Sequence, residues 1–209
     1  MNDRIRQLLE QITTLEDELR SALNEQQGGL RYRIEGRRVA FEHAIYDAHR
    51  KLKVGVFRWL ITVRPQNYLT APIIYGMALP LAFADLCVTV YQGICFPVYG
   101  IARVRRRDYL IFDHQHLAYL NAFEKFHCVY CAYASGVLAY ATEITARTEQ
   151  YFCPIKHARK VIHPHARYAS FLDYGEAEDY HARLEELRAV LAKERTAEAE
   201  KKASRQDNE

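Results

Sequence analysis

Two short cysteine motifs hold the densest chemistry in the chain, Cys128-Val-Tyr-Cys131 and Cys153-Pro-Ile-Lys-His157. Cys-x2-Cys spacing places two thiolates on one side of a helix or knuckle, within reach of one ion. Cys-x3-His brings an imidazole one helical turn from a third sulfur. Three sulfurs and one nitrogen form the tetrahedral set that structural Zn2+ accepts, so Zn2+ is the expected cofactor at Cys128, Cys131, Cys153 and His157. A [2Fe–2S] cluster, or iron, on the same side chains is the alternative. The intervening 21 residues fit one helix returning beside another. Pro154 suits the first turn of that second helix, with Cys153 near its N-cap, where the positive helix end favours a thiolate.

Two neighbours compete for a place in this site. His127, beside Cys128, can replace His157, and Glu124 completes a Glu124-x-x-His127 pair. That spacing is used in carboxylate-bridged di-iron bundles, which need a second such pair. Glu143 and Glu149 follow downstream without a His three residues on, and Asp113, His114 and His116 fall on an expected loop. Packing is the competing explanation for the thiols, since free Cys is often buried. Glycine-rich phosphate loops, Gly-x-Ser-x-Gly and His-Glu-x-x-His are all missing from the sequence, so no catalytic residue is assigned and an enzyme is the less favoured class.

The elements that must position these groups centre on an apolar block. From Pro65 to Ala102 the chain carries no Lys or Arg and a single acid, Asp85. Basic residues flank it: Leu30 to Arg64 holds nine Arg or Lys against three acids, and Arg103, Arg105, Arg106 and Arg107 follow. A single membrane span needs about 20 residues, and cationic segments stay on the cytoplasmic side, so basic clusters at both ends conflict with one crossing. The expected form is a short or re-entrant hairpin with Asp85 near its apex, kinked at Pro72, Pro80 and Pro97. Arg64, Arg103, Arg105, Arg106 and Arg107 are the expected headgroup contacts. An apolar core hairpin in a soluble protein is the alternative.

Heptad-like segments lie outside the block. Ile5, Leu8, Ile12, Leu15, Leu19 and Ala22 are spaced 3-4-3-4-3, and Ala177, Tyr180, Leu184, Leu187 and Leu191 have similar spacing. Three heptads are marginal alone, so a partner protein, self-association or pairing of the two segments is expected. The segment from about Tyr32 to Val63 reads as a basic amphipathic helix with Trp59 at a bilayer interface. A soluble nucleic-acid binder using that helix is a further alternative, ranked low because it lacks aromatics interleaved with the basic residues. Leu117 to Phe126 and Tyr130 to Ile144 read as helices, and the charged tail from Thr196 as disordered.

With 209 residues, 49% apolar and 26% charged, the composition excludes a wholly disordered or collagen-like chain. Five cysteines and an N-terminus without an apolar leader favour a reduced, cytoplasm-facing protein. Ile94 to Ile101, Leu120 to Cys131, and above all the Thr148-Glu-Gln-Tyr-Phe-Cys-Pro-Ile-Lys-His-Ala158 run resemble an uncharacterised proteobacterial family of small membrane-associated proteins. The resemblance covers roughly residues 65 to 160; it implies a bacterial setting and lends no catalytic residue.

These readings combine into an all-α protein. Its expected parts are a coiled-coil helix (1–29), a basic helix (30–64), a membrane hairpin (65–102), a helical Cys/His region (103–175), a second coiled-coil helix (176–195) and a tail (196–209). The expected role is a metal-binding structural or adaptor protein on the cytoplasmic face of a bacterial inner membrane. The alternative from another class is an iron–sulfur or iron redox protein serving a membrane electron carrier.

Overall fold

The computed structural model describes residues 32–35, 38–41, 43–62 and 64–206, together with Arg4, Gln11, Thr14, Leu15, Glu18, Leu19, Ser21 and Ala22. The described chain is mostly helical and falls into two compact units, 1–61 with 113–125, and 62–112 with 126–209. Ile5, Leu8 and Ile12 of the N-terminal seam lie outside the described residues, while Leu15, Leu19 and Ala22 are helical and exposed.

The first unit corrects the expected basic helix over 30–64. Strands β1 (Tyr32–Glu35) and β2 (Arg38–Phe41) pair antiparallel, with Tyr32 opposite Phe41, Ile34 opposite Val39 and Glu35 opposite Arg38. In sequence, Tyr32-Arg33-Ile34-Glu35 alternates apolar and charged residues at period two, which is a strand pattern, and Arg38-Val39-Ala40-Phe41 is a short, mostly apolar run that can pair with it. Together these outweigh the longer helical spacing read through them. Helices α1 (His43–Lys51) and α2 (Val56–Thr62) follow. Within this unit the Trp59 ring stacks on Phe123 at 5.8 Å, and His49 meets Tyr119 edge-on.

The second unit opens with α3 (Pro65–Gly76) and α4 (Ala78–Val98), joined through Met77 in helical conformation. Pro65 sits in the first turn of α3, where its missing N–H costs nothing. The two make one helical run of 34 residues, about 50 Å at 1.5 Å per residue. The expected hairpin over 65–102 is therefore replaced: Asp85 sits in the middle of α4 and not at a reversal. The prolines do not reverse the chain, because each removes one hydrogen bond while its neighbours remain free to stay helical.

Helix α4 ends in a Schellman turn. Gly100 takes the left-handed conformation (φ 71°), Ile101 N–H donates to the Phe96 carbonyl at 2.8 Å, and Gly100 N–H to that of Pro97. Phe96 and Ile101 then enter the core, beside Val104, Tyr140, Ile144 and Leu191. The chain next runs back along α4 as an irregular strap, 101–112, interrupted by the single turn α5 (Arg106–Tyr109). A 3₁₀ turn at His114–His116 precedes α6 (Ala122–Phe152), one helix where two were expected. Gly136 does not break it; the glycine lets the strap approach, since a Cβ there would lie 2.7 Å from the Tyr109 carbonyl oxygen.

Helix α7 (Tyr180–Gln206) runs antiparallel to α6 and extends through most of the tail expected to be disordered. Leu184, Leu187 and Leu191, the C-terminal 3-4 seam, are buried. Leu191 belongs to the core cluster, so this seam serves the chain's own fold.

Candidate functional site

Helix α4 has its polar residues inside and its apolar residues outside. Asp85 and Gln92 are seven residues apart, two turns on one face, and both are buried. On the opposite face, Leu79, Phe83, Leu86, Val90, Ile94 and Val98 are between 49% and 77% exposed. A helix of a water-soluble domain has the reverse polarity. The run Pro65–Val98 is long and apolar enough to cross a membrane, and almost none of it is buried.

Every buried polar group of α4 is partnered by the strap or by α6. The Gln92 amide clamps Val104 from both sides, its oxygen accepting from Val104 N–H at 2.8 Å and its nitrogen donating to Val104 C=O at 3.1 Å. The same Gln92 nitrogen donates to the Tyr140 hydroxyl. The Arg106 guanidinium forks onto Asp85, with Nη2 at 2.6 Å from Oδ2 and Nε at 3.0 Å from Oδ1, and the Tyr133 hydroxyl adds a third donor at 3.1 Å. Arg103 donates from Nη2 to the Gly93 carbonyl at 2.9 Å. That carbonyl is four residues before Pro97, which has no N–H to offer it. Arg147 closes the seam by donating to the Ala102 carbonyl at 2.8 Å.

Farther along α6, a second cluster ties this helix to α7. Arg167 donates to Glu143 on α6 (3.0 Å), Gln150 on α6 (2.8 Å) and Glu194 on α7 (2.9 Å). Burial pushes the Glu143 carboxyl upward, but the hydrogen bond from Arg147 and the charge of Arg167 outweigh it and hold the group below the ordinary carboxylate range. Burial acts against the Arg167 charge, and its bonds to Glu194 and Glu143 overcome that and raise its pKa. The signal for this cluster in the sequence is the i,i+4 pair Glu143/Arg147; the third partner, Arg167, has no local signature.

The expected metal ligands are not brought together. Cys128 and Cys131 share one turn of α6, but Cys153 follows the far end of the same helix. Twenty-two residues from Cys131 to Cys153 at 1.5 Å each separate the two motifs by about 33 Å. Cys153 is also at a helix C-terminus, the reverse of the expected N-cap, with its N–H bonded to the Glu149 carbonyl at 2.9 Å. Residues 154–157 are extended and closed against Leu172, and the His157 N–H donates to the Tyr168 hydroxyl at 2.7 Å. Glu124 and Asn121 form a capping box at the start of α6, with reciprocal bonds of 2.8 and 3.0 Å, which explains Glu124 without a metal. His127 packs against the Tyr75 and Phe126 rings. Among the described residues, no group of three or more His, Cys, Asp or Glu side chains is placed to hold a metal ion. The four side chains expected to hold Zn2+, or a [2Fe–2S] cluster, are thus not assembled at one point in this structure, because α6 continues unbroken between the two motifs.

The expected headgroup residues divide. Arg106 is turned inward to Asp85 and Arg103 is tied to Gly93, while Arg64, at the start of α3, and Arg107 are exposed and Arg105 is half-exposed. Neither the strap nor the polar seam of α4 leaves a local signal in the sequence. A comparison with protein-family models, curated proteins and solved structures finds no match to this chain.

Proposed function

We propose that this chain is a membrane-anchored structural or adaptor protein, seated on the cytoplasmic face of a bacterial inner membrane through α3 and α4. The observation that carries the reading is the inverted polarity of α4, with Asp85 and Gln92 inside and an uncharged apolar face outside. Water penalises such a face at roughly 25 cal/mol per Å2, whereas lipid does not. Basic residues on both flanks of the block support a cytoplasmic side, and the family resemblance supports a bacterial setting. The adaptor role rests on α7, whose outer face from Ala192 to Ala199 is largely exposed, and on the exposed Leu15 and Leu19. Both are surfaces for a protein partner or a second copy.

Fractionation of cells expressing the full chain tests the anchoring. The protein is expected in the membrane pellet and resistant to alkaline wash. Val90→Lys with Ile94→Lys, on the exposed face of α4, moves it to the soluble fraction with its helical circular dichroism intact. Wild-type protein recovered as a soluble species without detergent would end the reading.

A further inference from the structure

The anchoring proposed above leaves two orientations for the apolar run, across the bilayer or along its surface, and the strap discriminates between them. Arg106 and its Asp85 partner lie at the middle of α4, and Arg107 and Asp108 beside them are exposed. Were α4 to stand upright, these charged side chains would sit at mid-bilayer depth, a place ionised groups avoid. The strap packs on the Asp85–Gln92 side of α4, opposite the face formed by Leu79, Phe83, Leu86, Val90, Ile94 and Val98. With the helix lying flat, that face dips into the acyl region while the strap stays in water.

We infer that α3–α4 lies in the plane of an anionic phospholipid leaflet and does not cross it. The inference rests on the membrane reading above and adds the orientation and the lipid. The inserted face presents no charged side chain over the length of α4, whereas protein interfaces place hydrogen bonds every 100–200 Å2 or so. Arg64 at the start of α3, and Arg105 and Arg107 on the strap, supply positive charge attracted to an anionic surface without entering it. The strap lies about 10 Å above the inserted face, and so within about one Debye length of the headgroups.

The two ends of the run report the orientation. Gln66 is exposed in the first turn of α3, and Cys153 is exposed at the end of α6, which reaches the end of α4 through Phe152 and Tyr99 at 5.1 Å. The full chain carrying Gln66→Cys is treated with a membrane-impermeant maleimide in sealed vesicles of each orientation, and labelled sites are read by peptide mass spectrometry. Flat seating predicts that Cys153 and the residue-66 thiol react from the same side, while Cys87, on the apolar face, reacts from neither. Reaction of the two ends from opposite sides overturns the inference and leaves anchoring standing. Absence of the chain from the membrane fraction overturns both. The lipid is tested separately with purified protein on vesicles. Arg105→Gln with Arg107→Gln is expected to weaken binding to phosphatidylglycerol-containing vesicles by about tenfold or more, and to leave binding to pure phosphatidylcholine unchanged. Equal wild-type binding to both compositions overturns the anionic requirement.

Discussion

Arg106 and Asp85, 21 residues apart, meet in a forked ion pair whose carboxylate is buried and whose guanidinium is nearly half exposed. Asp85 is the single charge in the apolar block, and its position inside α4 is tolerable because the returning strap brings the counter-charge to it. The pair therefore joins two statements about the fold: the strap must run back along α4, and the outer face of α4 is free to be apolar.

Removing one partner should cost more than removing both. Arg106→Leu leaves the buried Asp85 carboxylate with only the Tyr133 and Thr89 hydroxyls as side-chain donors. A loss of about 1–3 kcal/mol is expected, less than for a fully buried pair because Arg106 is partly solvated. The double variant Asp85→Leu/Arg106→Leu should recover part of that loss. Denaturant unfolding of Arg106→Leu, Asp85→Leu and the double variant checks this, and a double-variant loss equal to the sum of the two single losses would show that the pair is not coupled.

The bond from Arg103 to Gly93 makes a prediction of a different kind. Arg103→Ala should destabilise the chain by about 1 kcal/mol by leaving a helix carbonyl without a donor. In the Pro97→Ala background residue 97 has an N–H of its own, and the same substitution should then cost close to nothing. A double-mutant cycle on melting temperature measures the difference. Additive effects would show that Arg103 does not replace the donor that Pro97 lacks.

At Gly136, an added methyl group would lie 2.7 Å from the Tyr109 carbonyl and 3.2 Å from Leu110 Cα. Both are strap atoms with little room to yield. Gly136→Ala is expected to cost about 1–3 kcal/mol through overpacking, against the small gain that alanine brings to an exposed helix site. A melting temperature at or above wild type would mean that the strap is not held against α6.

Stability should fall in acid through Glu143. Its carboxyl is held below the ordinary carboxylate range in the fold despite burial, by Arg147 and Arg167. The unfolded chain therefore takes up the proton first as pH drops, and the stabilisation, complete above the ordinary range, is lost as pH falls through the depressed native value. Glu143→Gln should lower stability at neutral pH and flatten its dependence between about pH 5 and 3. Melting curves of both proteins across that interval measure it; parallel pH profiles would place the acid sensitivity elsewhere.

The apolar block is legible from sequence because it depends on composition: 38 residues without Lys or Arg stand out whatever the chain does around them. The mostly helical class and the C-terminal helix through Leu184, Leu187 and Leu191 are legible in the same way, since helical spacing is local. The first strand of the hairpin, Tyr32–Glu35, is legible too, from its period-two alternation, but apolar residues farther along also fit a 3.6-residue period and draw the reading toward a helix.

Local patterns could not decide which residues meet. Cys128, Cys131, Cys153 and His157 have the spacing of a ligand set, yet the 21 residues between the pairs continue α6 as one rod, so the motifs lie at a distance set by helical rise. Asp85 and Arg106, Arg103 and Gly93, Gln92 and Val104 carry no shared spacing, and a strap that turns at Gly100 and returns along α4 puts them in contact. Composition alone marked α4 as apolar. Which side of it faces inward was decided by the partners that the fold brings to Asp85 and Gln92, because a buried polar group is tolerated where its hydrogen bonds are met.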